Sequence, residues 1–192
     1  MRVVAGRYKG HNLKTLKGEA TRPTTMRVKE SLFSSLTSML GSFEGLNVLD
    51  AFAGSGALGI EALSRGADHV VFFEKSRQAA QVVSENLKKV NAPQDSYVIE
   101  LGDALRSAGR FHAMSFDLVF LDPPYAIEPA CVLEYVESLA SASALNADAL
   151  ICYELAKKNK PACLEQAHRL KWAAVSVKDF GDTSYVLLRK GD

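Results

Sequence analysis

The sequence predicts an α/β fold: a doubly wound, mostly parallel sheet preceded by a short N-terminal extension. Three observations carry this. From Asn47 onward, short continuous apolar runs alternate with amphipathic stretches, the pattern of a sheet covered by helices on both faces. A glycine-rich loop, Gly54-Ser55-Gly56-Ala57-Leu58-Gly59, directly follows the first of these runs. The 192 residues are 47% hydrophobic and 23% charged, which suits one core of ordinary composition.

In chain order, residues 2–13 carry turn glycines at Gly6 and Gly10 and read as a β-hairpin. Pro23 ends any element before it, and Thr24 or Thr25 can cap a helix running to about Leu40. Val28, Leu32, Leu36 and Leu40 recur there at four-residue spacing, with Phe33 and Met39 beside them, giving one apolar face. Strands are then expected at 47–52, 70–73, 97–99, 116–121 and 149–153. One helix follows the glycine loop through Ile60, Leu63 and Arg65; others span 76–90 and 128–141. Two late strands, near 173–177 and 184–188, are expected to close the sheet as a hairpin. The expected organisation is an extension over residues 1–42 and a catalytic domain over 43–192, with no internal repeat.

Charge is distributed unevenly. Residues 1–30 hold eight basic residues (Arg2, Arg7, Lys9, Lys14, Lys17, Arg22, Arg27, Lys29) against Glu19 and Glu30, a net of +6; the remainder holds 15 basic and 20 acidic residues, a net of −5. A basic arm on a mildly acidic body suits a polyanionic partner. Cys131, Cys152 and Cys163 are scattered and odd in number, so neither a disulfide framework nor a zinc site is expected. His11, His69, His112 and His168 have no metal-ligand spacing, and no metal is expected. No apolar run approaches the ~20 residues of a membrane span, and Met1 to Gly6 has no signal-peptide character. A cytoplasmic monomer is the expectation.

The glycine loop satisfies G-x-G-x-x-G between a strand and a helix, and Glu74 ends the next strand about 20 residues on, where a ribose-binding acid belongs. That pattern alone leaves NAD, FAD and S-adenosylmethionine open. Asp50, at the end of the first strand, favours the last. A carboxylate there repels a pyrophosphate but suits the ammonium and sulfonium of S-adenosylmethionine, and two unit charges ~4 Å apart are worth about 1 to 4 kcal/mol. Asp50 can also cap the loop by accepting backbone N–H bonds, and both roles can coexist. Asp103, after the third strand, can accept from an adenine amino group with the Ala104 N–H facing the ring, or cap the following turn. The expected cofactor contacts are Asp50, Phe52, Gly54, Ser55, Gly56, Glu74, Lys75, Asp103 and Ala104.

Asp122-Pro123-Pro124-Tyr125 follows the fourth strand. An exocyclic base amine is a poor nucleophile because its lone pair is delocalised into the ring. Methyl transfer to it needs the nitrogen held in line with the methyl group and its developing charge stabilised. Asp122 can accept one N–H and a carbonyl of the Pro-Pro turn the other, while the prolines stiffen the turn. Tyr125 offers a face for an extruded base, worth roughly 1–3 kcal/mol.

Four stretches carry a resemblance: Arg2 to Gly6, Arg22 to Phe33, Leu49 to Ala67, and Phe116 to Tyr125. In these the chain resembles the RsmD-like family of bacterial small-subunit rRNA guanine-N2 methyltransferases. The glycine loop and Asp-Pro-Pro-Tyr are shared by many methyltransferases; Arg22-Pro23-Thr24-Thr25 and its helix are more specific. The resemblance implies a class I, Rossmann-like methyltransferase fold whose seven-stranded sheet has an antiparallel last strand. It implies S-adenosylmethionine as donor, and as acceptor a guanine N2 in 16S rRNA within an assembled or assembling 30S subunit. It implies that Arg22, Thr24, Thr25 and Arg27 lie over the active site; these, with Arg7 and Lys9 of the basic arm, are the expected RNA contacts, and Asp122, Pro123, Pro124 and Tyr125 the expected catalytic residues. Arg27 would hold the methionine carboxylate or an RNA phosphate. Met26 departs from the family, which often has an acidic residue there. Phe180 to Tyr185 is also family-like, with no chemistry assigned to it.

The rivals are a DNA adenine-N6 methyltransferase, which uses the same motif, a protein-glutamine methyltransferase, where Asn is more usual than Asp122, an NAD-binding oxidoreductase and a non-catalytic RNA-binding module. The short chain shows no large target-recognition domain for sequence-specific DNA work.

Overall fold

A computed structural model describes residues 1–16, 25–111 and 114–191. Arg22, Pro23, Thr24 and His112 lie outside the described residues, as does the side chain of Thr25. The strands are β1 (Asn47–Asp50), β2 (His69–Glu74), β3 (Tyr97–Leu101), β4 (Phe116–Leu121), β5 (Leu145–Ala156), β6 (Trp172–Phe180) and β7 (Thr183–Lys190). They follow the order β3-β2-β1-β4-β5-β7-β6, with β7 antiparallel to both β5 and β6. This is the sheet expected of the class I fold. The helices are α1 (Thr25–Leu40), α2 (Ala57–Ser64), α3 (Arg77–Lys89), α4 (Pro129–Ser141) and α5 (Lys160–Arg169). Among the described residues, no helix is long and apolar enough to cross a membrane.

The chain divides into two compact units, Met1–Gly102 and Asp103–Asp192. In the first, β1 and β3 each pair in parallel with β2. Their apolar residues need cover on both faces, and Val48, Leu49, Val70 and Phe72 are fully buried. Helix α3 starts where the sequence predicts because the Ser76 hydroxyl accepts the Ala79 N–H, satisfying one orphan donor of the first turn. Its Lys88 and Lys89 suit the negative end of the helix dipole. On α1, Val28, Leu32 and Leu36 are buried together with Phe33, as their spacing predicts.

The N-terminal hairpin is reduced to one isolated antiparallel bridge, Arg2 with Asn12. Its stability comes from polar bonds to α2. Glu61, fully buried, accepts the N–H groups of Val4 and Ala5 at 2.8 and 3.0 Å. The same carboxylate pairs with Lys29 at 3.0 Å and Arg65 at 2.9 Å. The Ser64 hydroxyl donates to the Ala5 carbonyl and accepts the Tyr8 N–H. Gly6 passes so close that an added Cβ would lie 1.7 Å from the Ser64 carbonyl oxygen. Among the described basic residues of the arm over 1–30, Lys29 is the one that is buried. Lys29 is 4% exposed and neutralised by Glu61, so it is withdrawn from any polyanionic partner.

In the second unit, β4 pairs in parallel with β5, and β5 continues into the β7–β6 hairpin. Gly181, at φ +60°, makes the tight turn between β6 and β7. Helix α4 buries Val132, Leu133, Val136 and Leu139, an apolar stripe at helical spacing. Helix α5 had no counterpart in the sequence reading. Its buried face is only Cys163, Gln166 and Ala167, too narrow to stand out as periodicity.

Candidate active site

The first unit gathers the glycine loop and two carboxylates at the carboxyl ends of β1 and β2. The first strand stops at Asp50, two residues short of the expected end at Phe52, because the chain must turn to begin the loop. Asp50 is 2% exposed and its Oδ2 accepts the Gly59 N–H at 2.9 Å. This bond draws the first turn of α2 down onto the strand end. Close packing requires glycine at 59, where a Cβ would lie 2.3 Å from the Phe72 ring. Gly56 is needed for its conformation, at φ +77°. Glu74 is half-buried and uses both oxygens, Oε2 accepting the Gly54 N–H at 2.8 Å and Oε1 the Ser76 N–H at 2.7 Å. Ser55 is buried, Phe52 half-buried and Lys75 exposed.

Burial raises the Asp50 carboxyl to about 7, the bond from Gly59 opposing that rise and the charge of Glu74 adding to it. The native state therefore holds this proton up to a higher pH than the unfolded chain does. The stabilisation from proton uptake is complete below pH about 4 and is lost as pH rises through about 7. Asp50→Asn keeps an acceptor for Gly59 and removes the titration. Its urea midpoint, relative to wild type, is expected to rise between pH about 5 and pH about 8; a constant offset at both pH values would refute the assignment.

Sequence reasoning missed Asn86. It is fully buried, and its Oδ1 accepts the Lys14 N–H at 2.7 Å. Its Nδ2 donates to the carbonyls of Lys14 and Ser55, each at 2.9 Å. One side chain thus ties the N-terminal segment to the glycine loop. The available signal was an amide at a buried-face position of α3, three residues after Val83.

The second unit holds the Asp122-Pro123-Pro124-Tyr125 turn. Strand β4 is buried to Leu121 and then surfaces: Asp122 is exposed, Pro123 buried, and Pro124 and Tyr125 exposed. The Pro124 carbonyl accepts the Ile127 N–H at 2.9 Å, closing the turn. Tyr125 is 37% exposed, yet its hydroxyl lies 2.9 Å from the Thr183 hydroxyl and 3.5 Å from Glu154 Oε1. The ring is thus open while its hydroxyl end is anchored. Asp103 is half-buried and caps a short 3₁₀ turn, accepting the Leu105 N–H at 3.2 Å; Ala104 beside it is buried. The capping alternative for Asp103 is therefore the contact observed. Of the basic residues expected to face RNA, Arg7, Lys9 and Arg27 are exposed.

The family described as conserved hypothetical protein 95 matches residues 1–189. The Haemophilus influenzae protein named ribosomal RNA small subunit methyltransferase D is 35% identical over 188 residues, covering 97% of this chain and 92% of that one. The Bacillus subtilis protein YlbH is 46% identical over 128 residues, covering 65% and 67%. Among solved structures, that of the Escherichia coli protein YhhF aligns over 100% of this chain and 99% of its own, with TM-score 0.77 and 30% identity.

Proposed function

Because this chain belongs to the conserved hypothetical protein 95 family, the RsmD-like methyltransferases, we propose that it methylates the exocyclic N2 of one guanine in 16S rRNA. The donor in this reading is S-adenosylmethionine, which supplies an electrophilic methyl group on a sulfonium. The substrate is an assembled or assembling 30S subunit, and the enzyme works as a cytoplasmic monomer with its catalytic domain over 43–192 and an RNA-facing extension over 1–42.

The observation that carries the reading is the Asp122-Pro123-Pro124-Tyr125 turn, with an exposed carboxylate, a buried proline and an exposed ring whose hydroxyl is anchored. Asp122 accepts one N–H of the amine and the Pro123 carbonyl accepts the other. These bonds favour a pyramidal nitrogen with its lone pair free to attack. Positive charge develops on nitrogen as the new bond forms, so the Asp122 interaction strengthens toward the transition state. Asp122 then takes the proton released and passes it to water. Tyr125 stacks the flipped base.

The residues of the first unit fit a nucleoside ligand. Gly54 leaves half-buried backbone at the loop, Gly56 provides its left-handed turn, and Glu74, half-buried at a strand end, has lone pairs left for two ribose hydroxyls. Asp50 places a buried carboxyl behind the loop and fixes its shape through Gly59. Phe52, Ser55 and Lys75 border this site, and Asp103 with Ala104 receives the adenine. Arg7, Lys9 and Arg27, with Arg22, Thr24 and Thr25, bear on RNA phosphates. Binding should therefore weaken steeply with salt.

The test is methylation of small subunits from a strain lacking this gene, using labelled donor, followed by mapping of the modified base. Label on one guanine N2 of 16S rRNA is the expected result. Label on DNA adenine, or tight calorimetric binding of NAD in place of S-adenosylhomocysteine, would overturn the reading.

A further inference from the structure

A second carboxylate stands beside the acceptor turn. Strands β4 and β5 pair in parallel up to Leu121 and Tyr153, so Asp122 and Glu154 are the next residues of neighbouring strands. On the other edge of β5, Glu154 is paired with Tyr185 of β7. The Tyr185 hydroxyl donates to Glu154 Oε2, and Glu154 Oε1 lies 3.5 Å from the Tyr125 hydroxyl. Three strands thus bring two acids and two phenols together at their ends. The motif that supplies Tyr185, Phe180 to Tyr185, is the one to which the sequence alone gave no chemistry.

Glu154 is half-buried and follows five buried residues of β5, Ala149 to Tyr153. Placing a charge there costs desolvation, and holding Tyr125 does not require it, because Thr183 is the nearer partner of that hydroxyl. Tyr185, 7% exposed, keeps its proton: burial raises its pKa first, and the charges of Glu154 and Asp122 raise it further. It is a permanent donor that fixes one oxygen of Glu154 and so aims the carboxylate.

Resting on the guanine-N2 reading above, we infer that Glu154 reads the Watson–Crick edge of the acceptor base and determines the choice of guanine over adenine. Guanine presents three adjacent donors on that edge, two on N2 and one on N1. Asp122 and the Pro123 carbonyl take the two on N2. The N1–H beside them needs a third acceptor, and a carboxylate one strand over supplies it. Adenine carries a lone pair at N1, so the same carboxylate repels it and loses a partner. A site built to accept an N–H rejects an analogue that lacks it far more strongly than a merely apolar pocket would. Amine methylation by Asp122 does not itself require Glu154, which is why Glu154 is assigned to specificity.

The experiment compares small subunits reconstituted with 16S rRNA carrying guanine or 2,6-diaminopurine at the mapped acceptor position. Diaminopurine keeps the 2-amino group but has a lone pair at N1. Single-turnover methylation by the wild type is expected to favour guanine by about 100-fold. Glu154→Gln can donate to N1 while still accepting from Tyr185. It is expected to slow on guanine, quicken on diaminopurine and narrow the ratio at least about 10-fold. Tyr185→Phe, which frees Glu154 to move, should slow guanine without quickening diaminopurine. Unchanged affinity for S-adenosylhomocysteine checks that each variant is folded. An equal loss on both substrates, or an unchanged ratio, overturns the role of Glu154 and leaves the guanine-N2 reading intact. A wild type that methylates neither substrate overturns that reading and this inference together.

Discussion

Asp122→Ala is expected to bind S-adenosylhomocysteine as the wild type does and to lose about 1,000-fold in single-turnover methyl transfer. The donor contacts proposed above come from Asp50, Glu74, the glycine loop and Asp103, none of which this substitution touches. The side chain removed is exposed at the end of a buried strand, so the cost to folding should be small. What disappears is an acceptor whose bond strengthens as the amine becomes cationic, and such a loss falls on kcat more than on KM. Calorimetry with S-adenosylhomocysteine and quench-flow with labelled donor separate the two effects. A variant that turns over at the wild-type rate would remove Asp122 from the mechanism.

Glu61→Ala is expected to be the most damaging of these substitutions to stability, at about 3–5 kcal/mol, because it leaves a buried charge without its partner. Lys29 is already held below its ordinary pKa by burial, with Glu61 the main opposing influence. Without that carboxylate, Lys29 must lose its proton or move into water. The N–H groups of Val4 and Ala5 lose their acceptor in the same step. For a chain of this size the expected fall in Tm is ~10 °C. Thermal unfolding should show Lys29→Met to be milder, since Glu61 keeps Arg65 and both backbone donors. Equal costs for the two variants would refute this account of the cluster.

The repeating core was legible in the sequence because its signals are local. Val48, Val70, Leu118 and Leu150 stand in short apolar runs, and burial on both faces leaves no other reading for such runs between amphipathic helices. The start of α3 near Ser76, the Gly56 turn and the Asp122 turn were visible for the same reason: one residue type does one job within a few neighbours. Charges whose partners are remote in sequence were not visible. Lys29 and Glu61 each look like ordinary surface residues, since nothing in the order of residues announces that Val4, Lys29, Glu61 and Arg65 converge. Glu154 was hidden in the opposite way, as one acid at the end of an apolar strand, and only the pairing of β4, β5 and β7 gives it Asp122 and Tyr185 as neighbours. Helix α5 escaped because its polar sequence buries just three residues.

The clamp on the N-terminal segment also has a consequence in time. Val4 is held by a residue 57 positions later, and Lys14 by one 72 positions later. Closing loops of that length is slow compared with forming α2 or α3, whose contacts are local. During synthesis, residues 4–14 emerge well before Glu61, Ser64 and Asn86 exist to receive them. A segment made before its partners is therefore among the last to dock. Asn86, which also holds Ser55 of the glycine loop, completes its own set of hydrogen bonds only on that late arrival.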